Sequence, residues 1–260
     1  MSSVSLCIME QSEVEHFAFI LETMTRLGFG HIEHLHILLV QGVVPCGVDA
    51  RKVTSKNQER IDSLSRFLFA IKKSLGHTVQ QSYESKDIHP EVSWLSTLYA
   101  WVHCDALGRY PIPFLDHCFD YGSWSDQRQC SIQLSVDQAR VLLKYLKWYE
   151  SLACGRWSIM PEMIRSAVIR FSFVCVDRQS DLFREILYYC DKMHTILHVM
   201  MQESTSIVRQ PHPSLVLAQK QIAWIDRVLN TNNTTGELLG PKGTELPALF
   251  RTLSFLTDQP

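Results

Sequence analysis

The stretch SVDQARVLLKYLKWYESLA, residues 135–153, is the most informative part of this chain for its fold class. Its first residue, Ser135, is followed three positions later by Gln138. At this spacing the serine hydroxyl accepts from the Gln138 backbone N–H, and the glutamine side chain reaches back to the serine N–H. Apolar residues then cover most of the helix circumference, which is typical of a helix buried on several sides. The stretch therefore predicts an interior helix of an α-helical protein.

Two further helices are predicted to begin with the same spacing, and three glycines follow the apolar runs. A residue without Cβ ends a helix there at little steric cost. The predicted starts are Ser12 with Glu15 and Ser55 with Gln58, and the predicted stops are Gly28, Gly76 and Gly155. Apolar residues at helical spacing predict additional helices over 31–40, 90–108, 161–173, 182–201 and 215–229, and another near 247–256. We find no alternating strand pattern with hairpin turn residues.

These patterns predict an all-α fold, a single multi-helix globular bundle of about eight or nine helices over residues 1–260. A chain of 260 residues with 46% apolar content is sufficient for one large core. We expect the buried central layer to come from the C-terminal half, within 135–229. We also expect a short disordered N-terminus over 1–10, a mobile loop over 77–89 and a loop over 231–245.

Charge and cysteine usage favour an intracellular protein, nuclear or cytoplasmic. The formal net charge is −2, so no global field attracts nucleic acid or an anionic membrane. The apolar runs are too short for a membrane helix, and the first residues lack the order of a secretory signal. Eight dispersed cysteines suit reduced thiols. We therefore expect neither secretion nor membrane association.

One group of residues has the chemistry of a metal site. Cys190, His194 and His198 are spaced four apart on the predicted helix over 182–201. Side chains four apart share a helix face, and two of these three could ligate one zinc ion, which prefers four nitrogen or sulfur ligands. The alternative is that this face packs inside the protein, and we favour it. Zinc, held alone or shared with a partner chain, is the one cofactor that we retain.

No motif indicates catalysis. The chain has no Gly-x-Ser-x-Gly element, and residues 240–244 lack the spacing of a phosphate-binding loop. We therefore expect a protein that is not an enzyme, while a helical enzyme with a dispersed site stays open.

Aromatic and apolar residues concentrate outside the strongest helices, between 109 and 124 and again between 246 and 256. Aromatic anchors dominate protein interfaces. The sequence therefore favours a non-catalytic helical adaptor or scaffold subunit of a multiprotein complex, which binds peptides or helices of partner proteins in grooves between its own helices; a homo-oligomer is a further option. The candidate partner-binding residues are Tyr110, Phe114, Phe119, Tyr121, Trp124, Leu249, Phe250 and Phe255.

The alternative function is nucleic-acid binding by the basic stretch 51–73, where cations outnumber carboxylates. A surface helix also needs charge, so this stretch has an ordinary structural explanation. The candidate nucleic-acid residues are Arg51, Lys52, Lys56, Arg60, Lys72 and Lys73.

Overall fold

The computed structural model describes residues 3–8, 11–45, 55–74, 89–107, 130–166, 181–204 and 210–230. Within them the predicted all-α helical bundle is confirmed, with eight α-helices. The helices are α1 (Gln11–Gly28), α2 (Leu35–Val40), α3 (Ser55–Ser74), α4 (Pro90–Trp101), α5 (Val136–Ala153), α6 (Met160–Arg165), α7 (Asp181–Ser204) and α8 (Pro213–Asn230). Short 3₁₀ turns, Ile32–His34 and Trp157–Ile159, precede α2 and α6, and α4 continues into a π-helical turn, Val102–Ala106.

The N-terminus differs from its prediction as a disordered segment. Strand β1 (Ser3–Ile8) pairs antiparallel with β2 (Cys130–Ser135), and Val4 lies opposite Leu134. Val4, Ile132 and Leu134 are buried. Burial of Val4 and the pairing of β1 with β2 order a segment that no helix pattern covers.

The predicted cap of α5 is confirmed, whereas the predicted cap of α1 at Ser12 is wrong, although that helix begins within one residue of its predicted start. The Ser135 N–H donates to Gln138 Oε1 at 2.9 Å, and the Gln138 N–H donates to Ser135 Oγ at 3.2 Å. Helix α1 begins at Gln11, so Ser12 lies inside its first turn rather than before it. Helix α3 begins at Ser55, as predicted.

The glycines that end helices do so for different reasons. Gly155 follows α5 with a φ of 76°, in the left-handed region that was expected of a helix stop. Gly28 ends α1 but does not adopt a positive φ; Gly30 does, at 85°. A Cβ on Gly28 would lie only 2.5 Å from Cγ1 of Val92 on α4. Gly28 therefore permits close packing of α1 and α4. Gly76 lies outside the described residues.

The chain divides into two compact units. The first comprises Met1–Glu22, Leu95–Lys147 and Val216–Pro260, and the second comprises Thr23–Trp94 and Trp148–Leu215. In the first unit, β1 pairs with β2, and two ion pairs join helices: Glu13 with Lys220 at 3.6 Å and Lys147 with Asp226 at 3.2 Å. A single domain over 1–260 stays a prediction.

Helices α3 and α7 pack against each other in the second unit, where the rings of Phe67 and Tyr189 lie 5.9 Å apart between centroids. In the same unit, the hydroxyl groups of Tyr149 and Ser214 are hydrogen-bonded at 2.7 Å. The Trp157 indole N–H donates to the Leu152 carbonyl oxygen at 3.0 Å.

The predicted buried layer of the C-terminal half holds for α5 but not for α7. Helix α5 buries a wide face that includes Leu142, Tyr149 and Leu152. Helix α7 buries one face only, because its opposite face carries charged and polar residues. Within the described residues, no helix combines the length and apolar character that a membrane crossing requires.

Candidate interaction surfaces

The exposed apolar side chains are concentrated in the second unit. Five large apolar side chains are exposed among the described residues: Val40, Phe69, Leu187, Tyr188 and Val199. All five belong to the second unit and none to the first. Single exposed apolar residues are common on protein surfaces, whereas their accumulation on one part of a chain is typical of interaction sites.

Two of these side chains flank the contact between α2 and α3, which we call the α2–α3 seam and define by His36, Val40, Ser65 and Phe69. The hydroxyl of Ser65 and Nδ1 of His36 are hydrogen-bonded at 2.6 Å. Val40 lies one helical turn beyond His36 on α2, and Phe69 lies one turn beyond Ser65 on α3. The seam thus combines one polar contact with two exposed apolar side chains.

The seam is held in place by an ion pair at its end. Glu33, in the turn before α2, accepts hydrogen bonds from His31 at 3.3 Å and from the buried Lys72 of α3. Burial raises the pKa of the Glu33 carboxyl, but the hydrogen bonds from His31 and Lys72 outweigh this effect and hold the pKa at about 2. Glu33 is therefore ionised near neutral pH and fixes the turn to α3.

The second surface is the α7 outer face, which we define by Leu187, Tyr188, Asp191, Lys192, His194, Thr195, His198 and Val199. All eight side chains are exposed. The Lys192 ammonium lies 5.2 Å from the centroid of the Tyr188 ring, a cation–π contact. The rings of His194 and His198 are stacked, with their centroids 6.2 Å apart. The face therefore presents ordered aromatic rings and both signs of charge.

The structure separates Cys190 from the two histidines of the predicted metal group. Cys190 is 4% exposed and lies on the buried face of α7, whereas His194 and His198 lie on the α7 outer face. Burial raises the pKa of the Cys190 thiol to about 12, so the thiolate that zinc needs is disfavoured. The described residues contain no group of three His, Cys, Asp or Glu side chains that could hold a metal.

Most described cations of the basic stretch bind carboxylates of the same chain. Lys56 and Arg60 of α3 both pair with Glu203 of α7, with N–O distances of 3.1 Å from Lys56 Nζ and from Arg60 Nη2. Lys72 pairs with Glu33, while Lys73 is exposed. Arg51 and Lys52 lie outside the described residues. Nucleic-acid binding stays a prediction, and the pairing of these cations does not favour it.

The sequence-based candidates for partner binding lie outside the described residues, so their role stays a prediction. These candidates are Tyr110, Phe114, Phe119, Tyr121, Trp124, Leu249, Phe250 and Phe255. The exposed side chains of α3 and α7 were not among them. Their signal was available: Phe69 falls on the polar side of α3, one turn from Arg66 and Lys73.

Comparison with known proteins gives no match to a family model, to a curated protein or to a solved structure. The function is therefore argued from the surfaces described above.

Proposed function

We propose that this protein is a non-catalytic helical adaptor, a subunit of a multiprotein complex, and that its second unit binds an α-helix of a partner protein at the α2–α3 seam. The observation that carries the proposal is the concentration of all five exposed large apolar side chains of the described residues in the second unit. Grooves between helices bind amphipathic helices through a few apolar anchors spaced by helical turns.

The seam has the spacing that such a helix requires. The pairs Glu33 with Lys72 and His36 with Ser65 imply that α2 and α3 run in opposite directions. Val40 and Phe69 are therefore displaced to opposite sides of the His36–Ser65 hydrogen bond, by about 6 Å each. The resulting separation along the helix axes, roughly 12 Å, is close to the rise between residues i and i+7 of a helix.

The His36–Ser65 contact would give the partner helix a polar group to recognise between the two apolar anchors. Hydrogen bonding at such a point adds specificity, since a partner without a matching group leaves buried polar atoms unpaired. The ion pair of Glu33 with Lys72 orders the seam before binding and so reduces the entropy that association costs.

The test is a substitution in the seam compared with one of equal exposure elsewhere. Phe69 is 55% exposed and Tyr188 is 56% exposed. The variant Phe69→Lys should lose a partner chain that both the wild type and Tyr188→Lys retain. Affinity capture with mass spectrometry identifies the chain that is lost, and reconstitution with the purified partner measures its binding to each variant. A partner bound equally well by Phe69→Lys would contradict the proposed site.

A further inference from the structure

We propose that the α7 outer face is a self-association surface, on which a second copy of this chain packs its own α7 in the antiparallel direction. This inference is independent of the α2–α3 seam and concerns a different partner. Three of the five exposed large apolar side chains in the described residues lie on this one helix: Leu187, Tyr188 and Val199. Helix α7 has 24 residues, about 36 Å, which is long enough for an extended helix–helix contact.

The spacing of these side chains fits a two-fold arrangement. Tyr188 and Val199 are eleven residues apart, three helical turns, and lie on the same flank of the face; Leu187 and His198 have the same separation on the other flank. A two-fold axis perpendicular to the helix reverses its direction but places each flank against the same flank of the second copy.

A two-fold axis at the height of Met193 brings unlike residues together on both flanks. Tyr188 then lies within about 1.5 Å of the level of Val199 of the second copy, and Leu187 lies within about 1.5 Å of the level of His198 of the second copy. Each exposed apolar side chain thus meets a side chain that can cover it. The two-fold rotation repeats each of these two contacts, so the interface contains four of them.

One charged contact on this face is also complementary to its own copy. Asp191 lies about level with His194 of the second copy, whose ring N–H can donate to the carboxylate. Lys192 lies on the Tyr188 flank, at the solvent-exposed edge of the contact and near Lys192 of the second copy, where solvent screens the two ammonium groups. Arg184 lies level with Gln202 of the second copy, so these two positions bring no like charges together. Such self-complementarity is required of an isologous interface and is not required for binding an unrelated helix.

Charge substitutions with reciprocal rescue test both the surface and the direction of packing. The measurement is sedimentation equilibrium of the 260-residue chain, for which the wild type should approach twice the chain mass of 30.0 kDa. Tyr188→Lys and Val199→Glu should each weaken the dimer at least about tenfold, because each places an unpaired charge in an apolar contact. The double variant should restore the dimer, because the lysine introduced at position 188 of one chain would lie beside the glutamate introduced at position 199 of the other.

The introduced charges are about 16 Å apart within one chain, so pairing inside a chain cannot account for a rescue. Phe69→Lys is the control of matched exposure and should leave the dimer unchanged. Circular dichroism of each variant verifies that it folds, and a variant that does not fold is replaced by Tyr188→Ala or Val199→Ala with the same expected direction. A monomeric wild type at the highest soluble concentration, a dimer insensitive to both single substitutions, or a double variant that stays monomeric would overturn the proposal.

Discussion

Cys190 illustrates how burial decides the chemistry of a single residue. Its thiol lies on the buried face of α7, and burial raises its pKa to about 12. We expect Cys190 to react with iodoacetamide at pH 8 at least about a hundredfold more slowly in the native chain than in the urea-denatured chain, since the thiolate is the nucleophile. Peptide mass spectrometry after timed alkylation gives both rates. Equal rates would mean that this face of α7 is open.

Glu33 provides a pH-dependent part of the stability. The pKa of its carboxyl is about 2 in the folded chain, below its ordinary value of 4.5, so its contribution is fully present above pH 5 and is lost as the pH falls toward 2. The variant Glu33→Gln should lower the free energy of unfolding by about 2 kcal/mol at pH 7. This difference from the wild type should shrink by about half or more at pH 3.

Urea denaturation at the two pH values measures this difference. The exposed Glu59 of α3 provides a control of the same charge change, and Glu59→Gln should alter the free energy of unfolding by less than about 0.5 kcal/mol. A loss in Glu33→Gln that is the same at pH 7 and pH 3 would assign its role to packing rather than to the ion pair with Lys72.

Among the elements, α5 owes its start to the reciprocal cap of Ser135 and Gln138. Ser135→Ala should lower the free energy of unfolding by about 1 kcal/mol, because a backbone N–H at the helix start loses its acceptor. The exposed Ser158 supplies the control variant Ser158→Ala, for which little change is expected. A double-mutant cycle with Gln138→Ala should give a non-zero coupling energy. Strictly additive losses would argue against the cap.

At the junction of α1 and α4, a glycine-to-alanine substitution should have the opposite of its usual effect on stability. Glycine to alanine usually stabilises a helix by about 0.5–1 kcal/mol. At Gly28 the added Cβ would meet Val92 at 2.5 Å, so Gly28→Ala should instead destabilise by about 2 kcal/mol. Thermal or urea unfolding measures the change. The double variant with Val92→Ala should cost less than the sum of the two single losses, and a stabilising Gly28→Ala would show that α1 and α4 do not pack this closely.

The elements that the sequence predicts are those whose determinants are local. A helix is encoded by apolar residues three and four positions apart and by residues at its ends, and α3, α5, α7 and α8 lie close to their predicted ranges. Strand β1 pairs with a segment that begins more than a hundred residues later, so no turn residues mark the pair. The alternation in Ser3–Ile8 was visible, but alternation alone does not identify the partner strand.

For the whole molecule, the candidate surfaces were harder to predict than the fold. Lys56, Arg60 and Lys72 look like a cationic patch in sequence, and only the packing of α3 shows that Lys56 and Arg60 share an ion pair with Glu203 and that Lys72 pairs with Glu33. Tyr188 belongs to a helix whose apolar pattern predicts burial on several sides, and only packing shows that this side chain is exposed. Both errors have one physical cause, since a side chain's environment depends on segments far away in the chain.

A substitution of Val4 tests whether strand β1 contributes to the stability of the fold. Val4 is buried and lies opposite Leu134, so it joins the start of the chain to the strand that leads into α5. Val4→Ala should lower the free energy of unfolding by about 2 kcal/mol, because it removes buried apolar surface and leaves a cavity. The control is Val199→Ala at an exposed position, which should lower the free energy of unfolding by less than about 0.5 kcal/mol. It is measured in the Tyr188→Lys background, which we expect to be monomeric, so that dimer contacts do not contribute. Urea denaturation compares the two. Equal small losses would mean that β1 contributes nothing to stability, whereas a larger loss at Val4 would show that folding of the helical bundle includes this long-range strand pair.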